Sequence, residues 1–330
     1  MVEKPNSIDT KRTLFHPILM HFAARFSKKT YGEFASDYRV LVETNMKCHE
    51  YFETDAVSVI SDPYCETSAF GAKIIYEAEG VPHCVEKVVK SSEDIKTLKI
   101  PEVYNCERTL NRIKGVEYYR KLVKPQVDVI GWVEGPLAEA CDLMGVTEML
   151  MLLATDEELT KILLDKCLIT GKAFAKAQVE NGANIIGVGD AICSQISAEM
   201  YREFIFNRHK ELIDYIHTLG AKVKLHICGN IKHLVPDLKI LKPDIVDVDW
   251  MVGMEELYAV FGEKIIRCGN IDPVSVIERL SAGEVYNLTK ELIKKEEGRP
   301  FILSGGCEIT VNTPKENLLA MKRALKDFVE

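Results

Sequence analysis

Residues 222–228 are Lys-Val-Lys-Leu-His-Ile-Cys, and Gly229 and Asn230 follow at once. Aliphatic residues alternate with Lys and His over this run, which is the pattern of a β-strand. The glycine and the asparagine predict a turn where the strand ends. The segment therefore places two side chains that are able to bind a metal, His226 and Cys228, at the exit of a strand.

Five further runs of this kind lie in the rest of the chain, and most are followed by a helical pattern. Consecutive parallel strands need such a crossover, so the alternation predicts a parallel sheet. Two apolar runs upstream raise the count to eight, which predicts an α/β fold, a (β/α)8 TIM barrel with N-terminal helical additions. The runs are residues 127–133, 184–190, 244–249, 264–268 and 301–304, with the upstream pair at 14–22 and 56–60.

An open, doubly wound sheet is the competing architecture. Its phosphate-binding loop carries three glycines, whereas Gly187-Val-Gly189 lacks the third and is followed by Asp190. We therefore expect a single TIM-barrel domain over residues 1–330, in which residues 1–120 include helical excursions on the barrel. The predicted helices cover residues 155–180, 198–219 and 254–261, and the last helix opens at Thr313 and Pro314.

The composition is that of a globular protein with an acidic balance. Of the 330 residues, 47% are hydrophobic and 28% are charged, and the formal net charge is −8. Nucleic acids and anionic membranes attract clustered Lys and Arg, so we expect neither as a partner. The longest apolar run, residues 149–154, is far shorter than the roughly 20 residues that span a membrane. Residues 1–12 are polar, and we expect no secretory signal and a cytoplasmic protein.

Ten cysteines are scattered along the chain, and no two lie closer than 17 positions. This spacing contains no CxxC motif and argues against a zinc ribbon or a thioredoxin-like site. It is typical of free thiols in a reducing compartment, most of them small buried side chains. A cysteine becomes a candidate for function only where its neighbourhood offers other ligands.

Polar and metal-capable side chains follow each of the last six predicted strands, at the end of a TIM barrel where active sites lie. His226 and Cys228 are two residues apart on a strand and therefore face the same side. Cys307 leaves the last strand and could reach them across the barrel mouth. One nitrogen and two sulfurs suit zinc, and three protein ligands leave a fourth position open. The alternative is that these three side chains only pack in the core.

Two acidic residues at strand exits are the catalytic candidates. Glu134 could serve as a fourth zinc ligand or as an acid that orients the substrate, and the alternative is a helix-capping acid. Asp190 could position a substrate donor or support His226 as a hydrogen-bond acceptor.

Three further residues at the mouth are candidates for substrate binding. Asp249 and Trp250 could offer a hydrogen bond and a stacking wall, with core packing of the tryptophan as the alternative. Asn270 could contribute a polar contact, although a simple turn residue explains it as well. Cys193 and Cys268 lie near strand ends and are reserve candidates as metal ligands.

Several of these strand exits carry longer motifs. They are His226-Ile-Cys228-Gly-Asn, Gly269-Asn-Ile-Asp272-Pro, and Gly305-Gly-Cys307-Glu-Ile followed by Asn312-Thr-Pro-Lys-Glu-Asn317. Together they resemble the uroporphyrinogen decarboxylase superfamily, and more specifically its zinc-dependent corrinoid methyltransferase branch. The likeness extends in strand order from the turn at 131–136 to the last helix. It implies that His226, Cys228 and Cys307 bind Zn²⁺.

The resemblance implies a zinc-dependent methyltransferase that moves a methyl group between the cobalt of a corrinoid and a zinc-activated small molecule. That branch includes methylcobamide:coenzyme M methyltransferases and bacterial demethylating enzymes. The sequence has no DxHxxG-type run, so we expect the cobamide (methylcobalamin) to arrive on a separate corrinoid-carrying protein. Decarboxylase members hold substrate carboxylates with an arginine-rich N-terminal segment, which residues 15–23 lack, so a decarboxylase-like lyase is disfavoured.

The ligand set favours one class of small substrate. Two thiolates and a neutral imidazole leave Zn²⁺ without formal net charge, and a thiol bound there loses its proton yet remains nucleophilic. This favours a thiol such as coenzyme M over a methoxylated aromatic. O-demethylation stays open as the enzyme alternative, and a zinc-held barrel that only binds the corrinoid protein is the non-catalytic one.

Overall fold

Eight parallel strands form a nearly closed barrel in the computed structural model, which describes residues 13–329. The expectation for residues 1–12 lies outside the described residues. The strands are β1 Leu14–Phe15, β2 Ala56–Ser58, β3 Asp128–Glu134, β4 Ile185–Gly189, β5 Lys222–Ile227, β6 Ile245–Val248, β7 Ile266–Ile271 and β8 Phe301–Gly305. Their order in the sheet is β1-β8-β7-β6-β5-β4-β3-β2. The backbone N–H of Asp55 donates to the carbonyl of Phe15 at 2.9 Å, which brings β1 beside β2. The TIM-barrel prediction is confirmed.

The candidate site lies at one level of the barrel, where residues of neighbouring strands stand side by side. In the strand register, Glu134 lies beside Gly189, Gly189 beside His226, His226 beside Asp247, and Asp247 beside Cys268. Side chains alternate between the two faces of a strand, so inward-facing residues recur at every second position. A small apolar core fills the inside of the barrel, formed by Ile130, Ile185, Ile245, Cys268 and Ile302.

Helices cover the outside of the barrel and pack on the outward-facing residues of the strands. They are α1 His21–Phe26, α2 Tyr31–Ser36, α3 Tyr38–Phe52, α4 Tyr64–Ala69, α5 Ser92–Thr97, α6 Glu107–Leu122, α7 Pro136–Met144, α8 Val146–Thr155, α9 Glu157–Glu180, α10 Ala198–Met200, α11 Phe206–Thr218, α12 Val235–Leu241, α13 Met254–Phe261, α14 Ala282–Lys295 and α15 Lys315–Val329. The helices between β1 and β3 are the predicted N-terminal additions. A hairpin of Ile74–Ile75 and His83–Cys84 accompanies them and was not predicted.

The predicted strand at 14–22 is wrong beyond Phe15. Pro17 has no N–H to donate to a neighbouring strand, and α1 begins at His21. The predicted helix at 198–219 is interrupted by a π-helical turn, Tyr201–Ile205, which separates α10 from α11.

The predicted start of a helix at Thr155 is also wrong. Thr155 ends α8, and its hydroxyl donates to the carbonyl of Met151 in that helix. Asp156 caps α9 instead, because its side chain accepts from the backbone N–H of Leu159.

The thiols are unpaired, as the sequence predicts. All ten cysteines are free. In the part of the chain that is described, no helix combines the length and the apolar character needed to cross a membrane.

Candidate metal centre

His226, Cys228 and Cys307 meet at the mouth of the barrel, where the strands end at their carboxyl side. His226 faces inward near the end of β5, Cys228 is two residues further on, and Cys307 lies in the turn after β8. Nε2 of His226 is 2.9 Å from Sγ of Cys228 and 3.9 Å from Sγ of Cys307, and the two sulfurs are 3.6 Å apart. The curvature of the barrel therefore brings together donors that are far apart in the sequence.

These separations fit Zn²⁺. With Zn–S bonds of about 2.3 Å and a Zn–N bond of about 2.0–2.1 Å, tetrahedral geometry places the sulfurs about 3.8 Å apart and the nitrogen about 3.5 Å from each. The observed separations of 2.9, 3.6 and 3.9 Å bracket these values. Among the described residues, the group of mutually close ligand atoms at this place consists of these three side chains, and Glu134 is not part of it. Three protein ligands leave one position for a substrate.

A buried carboxylate lies behind the histidine. Oδ2 of Asp247 is 3.4 Å from Nδ1 of His226 and 3.0 Å from Nζ of Lys224. Burial raises the pKa of Asp247, but attraction to Lys224 and His226 outweighs it and lowers that pKa to about 2. Burial lowers the pKa of His226, but the contacts with Cys228 and Asp247 raise it well above its usual range. Asp247 is therefore an anion at neutral pH.

The two thiols differ in acidity. The hydrogen bond from Cys228, reinforced by His226, lowers the pKa of Cys307 to about 4. The same hydrogen bond and burial raise the pKa of Cys228. A proton is therefore lost more easily from Cys307 than from Cys228, and a metal that bound all three side chains would displace the protons that remain on them.

Asp249 links the turn that carries Cys228 to the loop after β6. Its Oδ2 accepts from the backbone N–H of Gly229, which follows Cys228, and its Oδ1 accepts from the N–H of Trp250. A Cβ at Gly306 would lie 2.6 Å from the backbone nitrogen of Trp250, so only glycine fits where the turn before Cys307 passes. Asp249 therefore positions the centre through the backbone.

Glu134 lies at the mouth on β3, beside the ring of Trp132. Nε1 of Trp132 donates to Oε1 of Glu134 at 3.1 Å, and the Trp132 ring centroid is 6.3 Å from that of His226. Burial, followed by repulsion from Glu66, raises the pKa of Glu134 well above its usual range. Burial raises the pKa of Glu66 to about 8. Its surroundings therefore favour the protonated form of Glu134 more than water would.

Asp190 lies below the mouth and is fully buried. Its carboxylate accepts from the N–H groups of Leu137 and Ala138 at the start of α7 and from Nε2 of His209. Its acceptor atoms are thus occupied by a helix N-terminus and a histidine, and the carboxylate beside His226 is that of Asp247.

Asp190, Cys193 and His209 form a second group of mutually close ligand-type atoms among the described residues. All three are buried, and Nδ1 of His209 pairs with the hydroxyl of Tyr201 at 3.0 Å. Hydrogen bonds engage Asp190 and both ring nitrogens of His209, so these atoms already have partners within the protein.

Trp250 and Asn270 lie at the rim. The side chain of Trp250 is 48% exposed, so it is available as a wall for a substrate or a partner. The side-chain amide of Asn270 donates to the carbonyl of Val252, which holds the loop after β6.

Sequence reasoning missed four residues of this region. Lys224 and Asp247 support His226, Glu66 accepts from the N–H of Glu134, and Glu308 accepts from the N–H of His21. A signal was available for the first two, because Lys224 precedes His226 and Asp247 precedes Asp249 by two positions on a strand.

The inside of the barrel leaves little room. A cavity of about 30 Å³ below the mouth is lined in part by Ser58, Trp132 and Lys224. This volume suits a water molecule rather than a substrate. A substrate therefore reaches the centre from the mouth.

Comparisons with known proteins agree with this geometry. The profile of the uroporphyrinogen decarboxylase family (URO-D) matches residues 7–328. The methylcobamide:CoM methyltransferase MtbA of Methanosarcina acetivorans is 29% identical over 283 residues, which are 85% of this chain and 82% of that protein. A uroporphyrinogen decarboxylase of Solibacter usitatus is 24% identical over 286 residues, 84% of this chain and 81% of that protein.

Among solved structures, a methyltransferase from Methanosarcina mazei has a TM-score of 0.87. The match covers 100% of this chain and 96% of that chain at 21% identity. At this identity the similarity establishes the fold.

Proposed function

Because the chain belongs to the uroporphyrinogen decarboxylase family of enzymes, we propose that it is a zinc-dependent methyltransferase acting with a corrinoid protein. It would move a methyl group between the cobalt of the corrinoid and a small thiol of the coenzyme M type. The observation that carries the proposal is the cluster of His226, Cys228 and Cys307 at the mouth. The similarity to a methylcobamide:CoM methyltransferase supports the choice of reaction.

In this proposal the chain holds the ion and leaves one position open. His226, Cys228 and Cys307 would hold Zn²⁺, which supplies Lewis acidity that deprotonates a bound thiol without making its sulfur inert. Asp249 holds the turn that carries Cys228 against the loop after β6. The thiol and methyl-cobalt(III) give a thioether, cobalt(I) and one proton, so atoms and charge balance.

The corrinoid would arrive on a partner that covers the mouth. Trp250 and Met251 are 48% and 43% exposed in the loop after β6 and offer apolar contacts to such a partner. Ten free cysteines suit a reducing compartment, so we place the reaction in the cytoplasm.

Metal analysis and a transfer assay test the proposal. Purified protein is expected to contain about one zinc per chain, and Cys307→Ala should lose most of it, whereas Cys84→Ala, outside the cluster of ligand atoms, should keep it. Methylcobalamin plus a thiol should give thioether with the wild type. If Cys307→Ala contains as much zinc as the wild type, Cys307 is not a ligand. If the zinc-loaded protein transfers no methyl group to any thiol or from any methyl donor, the methyltransferase proposal is refuted.

O-demethylation of a methoxylated aromatic is the second candidate, and the protonation of Glu134 favours it. A neutral carboxylic acid beside the centre can donate a proton to a leaving oxygen. Glu134→Gln should then reduce demethylation strongly and leave thiol methylation nearly unchanged. Zinc-edge absorption spectroscopy separates the two, because a thiol substrate adds a third sulfur to the metal and an ether does not.

Decarboxylation is a weaker candidate, because residues 15–23 lack the arginine cluster that decarboxylase members use, and two buried arginines elsewhere bond to the protein's own backbone. Arg108 and Arg112 are buried on α6, and both donate to the carbonyl of Ala35. Arg108 also pairs with Asp62. These guanidinium groups hold helix α2 rather than a substrate.

A further inference from the structure

Three buried side chains form a line from the inside of the barrel to the candidate metal centre. Nζ of Lys224 is 3.0 Å from Oδ2 of Asp247, and the same oxygen is 3.4 Å from Nδ1 of His226. The opposite ring nitrogen, Nε2, faces the sulfurs of Cys228 and Cys307. The histidine ring thus stands between a carboxylate and the metal ligands.

This line is buried where charges are costly. The side chains of Lys224 and Asp247 are 2% and 0% exposed, and both face the inside of the barrel. Within the described residues, both Asp247 oxygens and Nδ1 of His226 are buried without a hydrogen-bond partner, so the contacts between these side chains are the polar contacts that they make. A buried ion pair adds little to stability compared with apolar residues of the same volume. A role in holding His226 gives a reason for keeping the pair.

The position of Asp247 selects one form of the imidazole. A neutral histidine carries its proton on one nitrogen, and a carboxylate beside Nδ1 favours the proton there. The lone pair is then on Nε2, which faces Cys228 and Cys307. The register of β5 and β6 places His226 beside Asp247, so this orientation is fixed by the sheet.

With zinc bound, the charges of the proposed site and of the residues behind His226 would cancel. Zn²⁺ with two thiolates and a neutral imidazole is formally neutral, and so is the pair of Lys224 and Asp247. Without Lys224, Asp247 would leave one negative charge in the barrel interior, where water does not screen it.

We infer that Asp247 is a positioning residue for the metal centre, which fixes His226 with Nδ1 protonated, and that Lys224 balances the charge of Asp247. The inference rests on the zinc centre proposed above. Removal of a partner that orients a metal-binding histidine lowers metal affinity by about 10–100-fold. We expect a loss of this size in Asp247→Asn.

The experiment measures zinc affinity by competition with a chromophoric chelator at one pH, together with the urea stability of the metal-free protein. Asp247→Asn, Lys224→Met and the double variant are compared with the wild type. Asp244→Asn is the matched control, because Asp244 also pairs with a histidine, His217, but at the exposed end of α11. The double variant should recover the stability that Lys224→Met loses, because no lone buried charge remains, and should still bind zinc more weakly than the wild type.

The outcomes separate the possible explanations. Wild-type zinc affinity in Asp247→Asn and in the double variant would overturn the inference and leave Asp247 and Lys224 as a structural pair. Absence of zinc binding in the wild type would instead refute the proposed function. Should a variant fail to fold, ¹⁵N spectra of the zinc-loaded wild type decide the matter, because a proton on Nε2 of His226 would contradict the inference.

Discussion

Replacing Gly187 with alanine should destabilise the protein by displacing the Trp132 ring. A Cβ at position 187 would lie 2.2 Å from Cε3 and 2.4 Å from Cζ3 of Trp132. Carbon atoms prefer separations of about 3.5–4.0 Å, so the ring must move by more than about 1 Å. That movement strains the hydrogen bond of 3.1 Å between Nε1 of Trp132 and Glu134. The mouth of the barrel would change shape next to His226.

The expected cost has two parts. Overpacking a filled interior costs about 1–3 kcal/mol, and losing one hydrogen bond costs about 0.5–1.5 kcal/mol. We therefore expect Gly187→Ala to lower the free energy of unfolding by roughly 2–4 kcal/mol. Gly171→Ala is the matched control, because its Cβ would lie 3.7 Å from the nearest atom, the carbonyl oxygen of Glu134. An alanine inside α9 should stabilise the protein by about 0.5–1 kcal/mol.

Urea unfolding followed by fluorescence measures both effects. The chain has two tryptophans, so a Trp250→Phe background reports Trp132 alone. The emission of Trp132 should change in Gly187→Ala and stay the same in Gly171→Ala. Wild-type stability together with unchanged emission in Gly187→Ala would show that the ring does not lie over Gly187.

Three further predictions test other parts of the molecule. Glu296→Gln should lower the free energy of unfolding by about 3–5 kcal/mol in urea titrations, because it leaves the buried Arg267 without its carboxylate. A loss below about 1 kcal/mol would contradict a buried ion pair between these two residues. Asp244→Asn should lower the free energy of unfolding by about 0.2–1 kcal/mol near pH 5.5 and by little above about pH 8. The bond to Asp244 raises the pKa of His217, so the stabilisation by this pair is lost as the pH rises through that pKa. A loss of stability that grows with pH would contradict the prediction. A thiol reagent should modify four cysteines in the native metal-free protein and two fewer after zinc is added, and unchanged counts would contradict the centre. The four are Cys84, Cys106, Cys228 and Cys307.

The strand exits could be predicted because their signals are local. A run such as residues 222–228 followed by Gly229 indicates both a strand and its end, and the period of two puts His226 and Cys228 on one face. The convergence of Cys307 with them followed from the barrel, since all parallel strands end at the same mouth. The fold and the strand exits are thus enough to predict that these three side chains meet, although not their three separations.

The partner of His226 could not be predicted, because it depends on the register between strands. Asp190 and Asp247 both lie on strands next to β5, and the sequence does not say which of them stands beside the ring. In the barrel, the register pairs His226 with Asp247 on one side and with Gly189 on the other. Asp190 comes one residue later and turns toward α7.

The predicted ends of helices and strands were wrong where the side chain of one residue decides the local backbone hydrogen bonds. The hydroxyl of Thr155 bonds to Met151 of the preceding helix, which leaves the capping role to Asp156. Pro17 ended a strand that its apolar neighbours favoured. In both cases a single atom decides where the helix or strand ends, and the pattern of apolar residues contains no information about that atom.

The turn that carries Cys307 also extends the pairing of β1 with β8. Strand β1 pairs with β8 through two residues, Leu14 and Phe15, whereas β7 pairs with β8 through five. Beyond β1, an isolated bridge joins Ile18 to Glu308, the residue after Cys307. An ion held by Cys307 and by the two ligands of β5 would therefore connect the shortest strand pairing of the barrel to its opposite side. The proposed metal centre and the attachment of β1 to the sheet involve the same turn, so a substitution there is expected to change both.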